Sequence, residues 1–477
     1  MRIVYDPMVS ARNVQAAPSY NWFLAFRAYV LKIDPQTVFY VMVPQFDDDS
    51  QWQAGADWAG PRTHLVPVTM AESQYDQLTL VTREVYDRFN ERLGDLYFDV
   101  WLTEKPMLAP ILKNLLSFKV RDKSRRPLVI CRDQFTLDVV DSKATATEEL
   151  LEAAGWCCAP TVFQSDHQAK RAVRVARKHV TPAHLKRMTE MMRTWPLGID
   201  CADVDLINSD ERGQKYDDIT INYSHKLFQE QRFLQSLQIM DSVLAGGRPV
   251  RLQIVTGSNA AKLSMIRKAQ KYRYIATYGG MNRSAFLKQV ARAHLFISNS
   301  TYEDFSVTVV EQIWTGLLPV LLRAEWSEYL VGKEYPYLFR TPQEGGAMMR
   351  YIVDNYEAVR DEWVPRLQEQ VLARFDLAVI VPDMLEWMQL LHRERIEGLR
   401  VITGPIRQLV RDAVDVLPPE FGVSDFAAAV RKVGNGIDID RDGETNSTSR
   451  MLVVDAMLAE HPDLIDLGTE RPTWRKI

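Results

Sequence analysis

Tyr302-Glu303-Asp304-Phe305-Ser306-Val307-Thr308-Val309-Val310-Glu311-Gln312 is the stretch on which the fold turns. Two glutamates stand eight positions apart, with an aromatic and small residues after the first and a β-branched run before the second. Ahead of it lies an apolar run, Ala293-His294-Leu295-Phe296-Ile297-Ser298, closed by the polar turn Asn299-Ser300-Thr301. Behind it, Gly316 and Pro319 break the chain before Val320-Leu321-Leu322. The order is strand, glutamate loop, helix carrying a second glutamate, break, strand. In an open parallel sheet, ligands sit at the carboxyl ends of strands and at helix N-termini. This order therefore puts Glu303 in a crevice and turns the amides of Phe305, Ser306 and Val307 towards an anion. Two glutamates alone are weak grounds, since a capping acid followed by a solvated helix acid has the same spacing. The flanking sequence is what separates the two readings.

Further segments fall in a consistent order. Ile219-Thr220-Ile221-Asn222-Tyr223 reads as a strand, followed by Lys226 and then Gln231-Arg232. Leu252–Gly257 reads as the next strand with its glycine, and Tyr274–Gly280, which includes Gly279, as another. Trp195-Pro196-Leu197-Gly198-Ile199-Asp200 carries the order Pro-x-Gly-x-Asp, which resembles a link joining two such domains. Together with the glutamate pair, these segments resemble the retaining family-4 glycosyltransferases of GT-B fold, with their E-x7-E signature, over about residues 195–345. The N-terminal half matches in outline.

The resemblance implies an enzyme that moves a sugar from a nucleotide-sugar, a UDP-sugar by expectation, to a hydroxyl, with no metal or resident cofactor. It implies that Lys226 and Arg232 neutralise the diphosphate and that Thr308 donates to a phosphate. Glu311 would bind the ribose hydroxyls, Gly279 would precede the base loop, and Glu303 would touch the sugar and sense charge at the reacting carbon. The chain also departs from the family. It reads Glu303-Asp304-Phe305-Ser306 where Glu-Gly-Phe-Gly is usual, and its first loop lacks the family's Gly-Gly. At the end of the strand Pro127–Cys131, where the family places a histidine, stand Arg132 and Asp133. Asp133 near an acceptor hydroxyl would act as a general base, or it would merely cap a turn; both stereochemical outcomes stay open.

The first half alternates the two periodicities. Arg2–Tyr5, Thr37–Val43, Asp95–Leu102 and Pro127–Cys131 read as strands. Tyr20–Leu31, Glu84–Leu93 and Met107–Leu116 read as helices. Continuous apolar strands alternating with helices point to parallel sheets covered on both faces. The expected fold is α/β: two doubly wound Rossmann-like domains facing a cleft, plus a small C-terminal helical or winged-helix-like extension. The expected boundaries are 1–198 for the acceptor-side domain, 199–397 for the donor domain with its return helices near Met384–Arg395, and 398–477 for the extension. In the extension, Ser424–Val433 and Ser447–Glu460 read as helices ahead of a short strand pair.

With 477 residues, 46% of them hydrophobic and 25% charged, the chain suits two globular domains and an extension. A net charge of −4 gives the whole molecule no polyanion-binding field. The four cysteines have neither zinc nor disulfide spacing, which fits free thiols in a reducing cytoplasm. No apolar run approaches the about 18 residues that a membrane span needs.

One basic stretch stands out between His167 and Met188, where Lys170, Arg174 and Arg177 share a helical face. It is either an ordinary solvated face or a surface that tracks phosphates. The second reading makes DNA a partner, with a hydroxymethylated base as acceptor, as in phage DNA glycosyltransferases. Acids outnumber Lys and Arg beyond residue 421, which weighs against DNA on the extension itself. A glycan or small-molecule acceptor is the rival, and a catalytically silent GT-B binding module is the alternative from another class.

Overall fold

A computed structural model describes residues 1–7, 18–45, 59–69, 98–119, 126–133, 146–209, 214–224, 230–247, 249–256, 275–279 and 282–422, with short pieces at 425, 428–429, 465–466 and 473–475. The chain divides into two compact units, Met1–Lys113 with Val129–Glu386, and Asn114–Leu128 with Trp387–Ile477. The first unit holds two parallel sheets.

The N-terminal sheet contains β1 (Arg2–Asp6), β2 (Val38–Gln45), β3 (Thr63–Thr69), β4 (Val100–Thr103), β5 (Leu128–Arg132), β6 (Thr161–Phe163) and β7 (Met192–Thr194), in the order β3-β2-β1-β4-β5-β6-β7. Its helices are α1 (Pro18–Ile33), α2 (Ala109–Lys119), α3 (Ala146–Cys158), α4 (Asp166–His179) and α5 (Pro182–Met191). The helix α6 (Cys201–Ile207) follows the link between the sheets. The second sheet contains β8 (Ile219–Tyr223), β9 (Val250–Thr256), β10 (Ile275–Gly279), β11 (Leu295–Ser298), β12 (Leu318–Leu322) and β13 (Leu338–Phe339), in the order β10-β9-β8-β11-β12-β13. With it go α7 (Glu230–Leu244), α8 (Arg283–Ala291), α9 (Val307–Trp314), α10 (Glu325–Val331), α11 (Pro342–Asp354) and α12 (Tyr356–Phe375); α13 runs from Leu377 to Asp415. Both sheets are doubly wound, as the alternation of apolar strands and helices led one to expect.

Local chemistry accounts for the elements that carry the site. Strand β1 is buried from Ile3 to Asp6, and β4 and β11 are buried throughout, because helices cover both faces. Helix α4 starts where the Ser165 side chain accepts the Gln168 amide, and α8 starts where Asn282 accepts that of Ala285. One face of α4 packs through Ala169, Ala172, Val175 and Ala176 on Trp156 and Phe163.

The differences from the sequence reading have local causes. Strand β3 has no counterpart among the expected elements; it contains Pro67 and forms the sheet edge, where a proline is tolerated. The strand expected from Asp95 begins at Val100, and the helix expected from Met107 opens with a 3-10 turn over Pro106–Leu108. Glu84–Leu93 lies outside the described residues. In the second unit, β14 (Glu420–Gly422), β15 (Ile465–Asp466) and β16 (Thr473–Arg475) form an antiparallel sheet in the order β14-β16-β15. The expected strand pair thus gains a third member, set by its pairing with β16 rather than by any pattern of its own. Of the helices expected there, Ser447–Glu460 lies outside the described residues, as does most of Ser424–Val433. The four cysteines are free thiols, three of them buried. Among the described residues, no helix is long and apolar enough to cross a membrane.

Candidate functional site

In each sheet the winding reverses once, between β1 and β4 and between β8 and β11. The carboxyl ends of strands beside such a reversal leave a crevice that ligands occupy. The glutamate loop follows β11, at the reversal of the second sheet.

This loop is tied down on several sides. The Trp326 indole donates to the Ser300 carbonyl at 3.0 Å, and the Ser300 hydroxyl donates to the Tyr302 carbonyl at 2.7 Å. The Tyr302 hydroxyl bonds Asp304. Phe305 is buried against Phe375, ring centroids 5.4 Å apart. From the N-terminal sheet, α4 contributes two residues. The Arg171 guanidinium lies 3.5 Å over the Tyr302 ring, and His167 Nε2 is 2.7 Å from the Glu303 carbonyl. A carbonyl only accepts, so Nε2 carries the proton of the neutral ring. Burial holds the His167 pKa below its ordinary value, and Nδ1 is buried without a hydrogen-bond partner among the described residues.

Helix α9 starts at Ser306, whose side chain makes no capping bond. The first amides of a helix have no partner within it, so this end offers donors and the positive end of the helix dipole. Val307 and Thr308 are half-buried, Ser306 buried. A chain of amides anchors the helix from below. Asn222 Nδ2 donates to Gln312 Oε1 at 2.7 Å, Gln253 Nε2 to Asn222 Oδ1 at 3.1 Å, and Gln289 Nε2 to Gln253 Oε1 at 3.0 Å. Gln312 Nε2 in turn donates to the Thr308 carbonyl.

Glu311, one turn into α9, is buried. Arg283, the first residue of α8, donates Nε to Glu311 Oε1 at 3.0 Å, with NH2 also 3.0 Å from the same oxygen. Its NH1 is 2.6 Å from Asp203 Oδ2 on α6. Burial pushes the Glu311 pKa up, while Arg283 works against that rise.

The other expected donor residues are less completely placed. Gly279 ends β10, opposite Thr256. Lys226 lies outside the described residues. Arg232 falls within α7, and its side chain lies outside what the structure describes.

At the reversal of the first sheet, the strand ends bring together a cluster the sequence reading caught only in part. Lys105 Nζ is 3.1 Å from Asp6 Oδ1, and the Thr103 hydroxyl donates to Asp6 Oδ2 at 3.1 Å. Arg132 pairs with Glu104, which also accepts the Tyr5 hydroxyl at 2.7 Å. The Arg132 guanidinium lies 3.7 Å over the Trp22 ring, and its NH2 is buried without a hydrogen-bond partner among the described residues. Asp133 follows β5 as expected, but it is only 1% exposed and accepts the Trp156 indole N–H at 2.9 Å. Polar residues directly after apolar strands, such as Thr103-Glu104-Lys105, were the available signal for this cluster. For His167 it was the place just after the polar end of β6.

Lys170, Arg174 and Arg177 occupy one exposed face of α4. Neighbouring Lys178 and His179 are paired with Glu149. Among the described residues, no cluster of His, Cys, Asp and Glu has the makings of a metal site.

No protein-family model matches the chain, and no curated protein matches its sequence. Solved structures do match its fold. A sucrose-phosphate synthase from Thermosynechococcus elongatus superposes with a TM-score of 0.60 at 13% identity, over 82% of this chain and 99% of that one. HepE of Anabaena, in complex with UDP and glucose, gives 0.56 at 12% identity over 82% and 99%. The pneumococcal O-GlcNAc transferase GtfA, in complex with UDP and GlcNAc, gives 0.57 at 10% identity over 82% and 98%. At such identities the likeness is one of fold. The fold is GT-B.

Proposed function

We propose that the protein is a glycosyltransferase that takes a sugar from a UDP-sugar and places it on an acceptor hydroxyl. The observation that carries this reading is the Glu303–Glu311 segment. At the reversal of the second sheet it presents a helix N-terminus without a side-chain cap and a carboxylate one turn behind it. That combination suits a nucleoside diphosphate, with phosphates against the amides of Val307 and Thr308 and ribose against Glu311. Lys226 and Arg232 add charge for the departing diphosphate. Glu303 meets sugar hydroxyls. Asp133 stands on the acceptor side, held by Trp156. The UDP in the HepE and GtfA structures supports the choice of nucleotide.

For the acceptor, the cluster at the ends of β1, β4 and β5 favours a sugar-like polyol. Asp6 with Lys105 and Glu104 with Arg132 pair off their charges, which leaves these strand ends close to neutral and suits an uncharged acceptor. DNA carrying a hydroxymethylated base is a second reading, favoured by the exposed row Lys170, Arg174 and Arg177. A duplex acceptor would have to present its base flipped out of the stack.

A thermal-shift screen of UDP, GDP, ADP and their sugars, followed by an assay of UDP release, tests the donor half. Stabilisation by UDP and by one UDP-sugar is expected. If no nucleotide raises the melting temperature, the chain is a binding module of another kind and the reading falls. For the acceptor, exchange of Lys170, Arg174 and Arg177 for Glu should leave turnover on a polyol unchanged. Loss of duplex-DNA affinity in that variant, with a flatter salt dependence, would favour DNA instead.

A further inference from the structure

We propose that Arg283 is the positioning residue for the donor's ribose, acting through Glu311; this rests on the reading that Glu311 takes the ribose. The geometry is one-sided. Nε and NH2 of Arg283 both approach Oε1 of Glu311, while Oε2 accepts no hydrogen bond from any described residue. One oxygen is fixed and the other is left for a ligand's hydroxyls. Arg283 is itself held in place. It is the first residue of α8, directly after the Asn282 cap, and its NH1 is pinned by Asp203. The carboxylate therefore keeps one orientation before the donor arrives.

The pair also keeps Glu311 charged. The Glu311 side chain is 6% exposed, and burial favours the neutral acid. A neutral carboxyl accepts hydroxyl groups more weakly than a carboxylate does. The charged groups that act on Glu311 are Arg283 on α8, which opposes protonation, and Asp203 on α6, which favours it. Helix α12 also packs on α9, but it meets that helix with Gln368, which donates to the Trp314 carbonyl. Strand β12, which also packs on α9, reads Leu-Pro-Val-Leu-Leu, and β8 meets α9 through the uncharged Asn222. Arg283 is thus the described cation that offsets burial at this position.

The test is donor KM and kcat between about pH 6 and pH 9 for wild type, Arg283→Gln, Arg283→Lys and Glu311→Gln, with folding checked by thermal melting. In Arg283→Gln the donor KM should rise about tenfold, the gap between a charge-assisted and a neutral hydrogen bond, and should recover towards the alkaline end of this range, because burial without the cation favours the neutral acid. Wild type should show no such recovery, kcat should change little, and Arg283→Lys should restore a flat profile. Glu311→Gln should raise KM equally at every pH. An Arg283→Gln effect that does not vary with pH, or no effect at all, would overturn the proposal while leaving the ribose reading intact. Unchanged KM in Glu311→Gln would instead remove the ribose reading, and the proposal with it. If Arg283→Gln does not fold, the flat profile and near-normal KM expected of Arg283→Lys decide the matter, and a pH-dependent KM in that variant overturns the proposal.

Discussion

Glu303 and Glu311 share a short segment but have different surroundings, and these separate their roles. Glu311 is buried against a guanidinium, whereas Glu303 is half-buried in a loop whose carbonyl His167 holds. If Glu303 senses charge that develops only at the reacting carbon, Glu303→Gln should lower kcat by about tenfold or more with little change in donor KM. Initial rates at saturating donor would show this, and a rise in KM alone would contradict it. Another residue-scale effect concerns acid stability. The Thr220 amide donates to Nδ1 of His294 at 3.0 Å, and burial with Lys215 and Arg360 nearby lowers the His294 pKa from 6.5 to about 4. Between these values the unfolded chain binds a proton that the folded protein refuses. Stability is then full above about pH 6.5 and falls as pH drops towards 4. His294→Gln, which can still accept the amide, should flatten the fall in melting temperature across that window; an unchanged slope would rule the contribution out.

At the level of elements, α9 is held by amides rather than by apolar packing alone. Gln253 on β9 donates to Asn222 and accepts from Gln289, so Gln253→Leu strands a donor and an acceptor in the interior. A loss of about 1–3 kcal/mol in urea unfolding is expected, and a neutral or stabilising result would show that the chain of amides is dispensable. Nothing in a lone Gln or Asn tells which partner it meets in a chain across four elements, so this chain could not be read from the sequence. The same holds for Arg283, whose partners lie 28 and 80 positions away. What could be read was periodic or compositional: the apolar strands, the glutamate loop between strand and helix, and the exposed face of Lys170, Arg174 and Arg177. Strand β3 carries a proline that its edge position tolerates, and β14 escaped because three residues carry too little pattern of their own.

Across the first unit, the segment from Trp195 to Asp200 is a structural joint as well as a connection. The Ile199 amide donates to the Phe375 carbonyl at 2.8 Å, and the Leu377 amide donates to the Ile199 carbonyl at 2.9 Å. The Trp195 indole donates to Asp383 at 2.6 Å, and the Tyr29 hydroxyl to Asp200 at 3.2 Å. Gly198 makes the turn with φ +65°, and a Cβ there would stand 2.8 Å from the Phe375 carbonyl oxygen. Gly198→Ala should therefore destabilise the protein by about 2 kcal/mol or more through backbone strain and overpacking, measured by chemical unfolding. Retained stability would mean that the joint is looser than its hydrogen bonds imply. The assignment of the second sheet to a nucleotide-sugar rests on the Glu303–Glu311 segment, and calorimetric titration of UDP into wild type and Glu311→Gln tests it most directly. One UDP should bind per wild-type chain, with affinity about tenfold weaker in Glu311→Gln. Absence of UDP binding to wild type, or equal affinity in the two proteins, would contradict it.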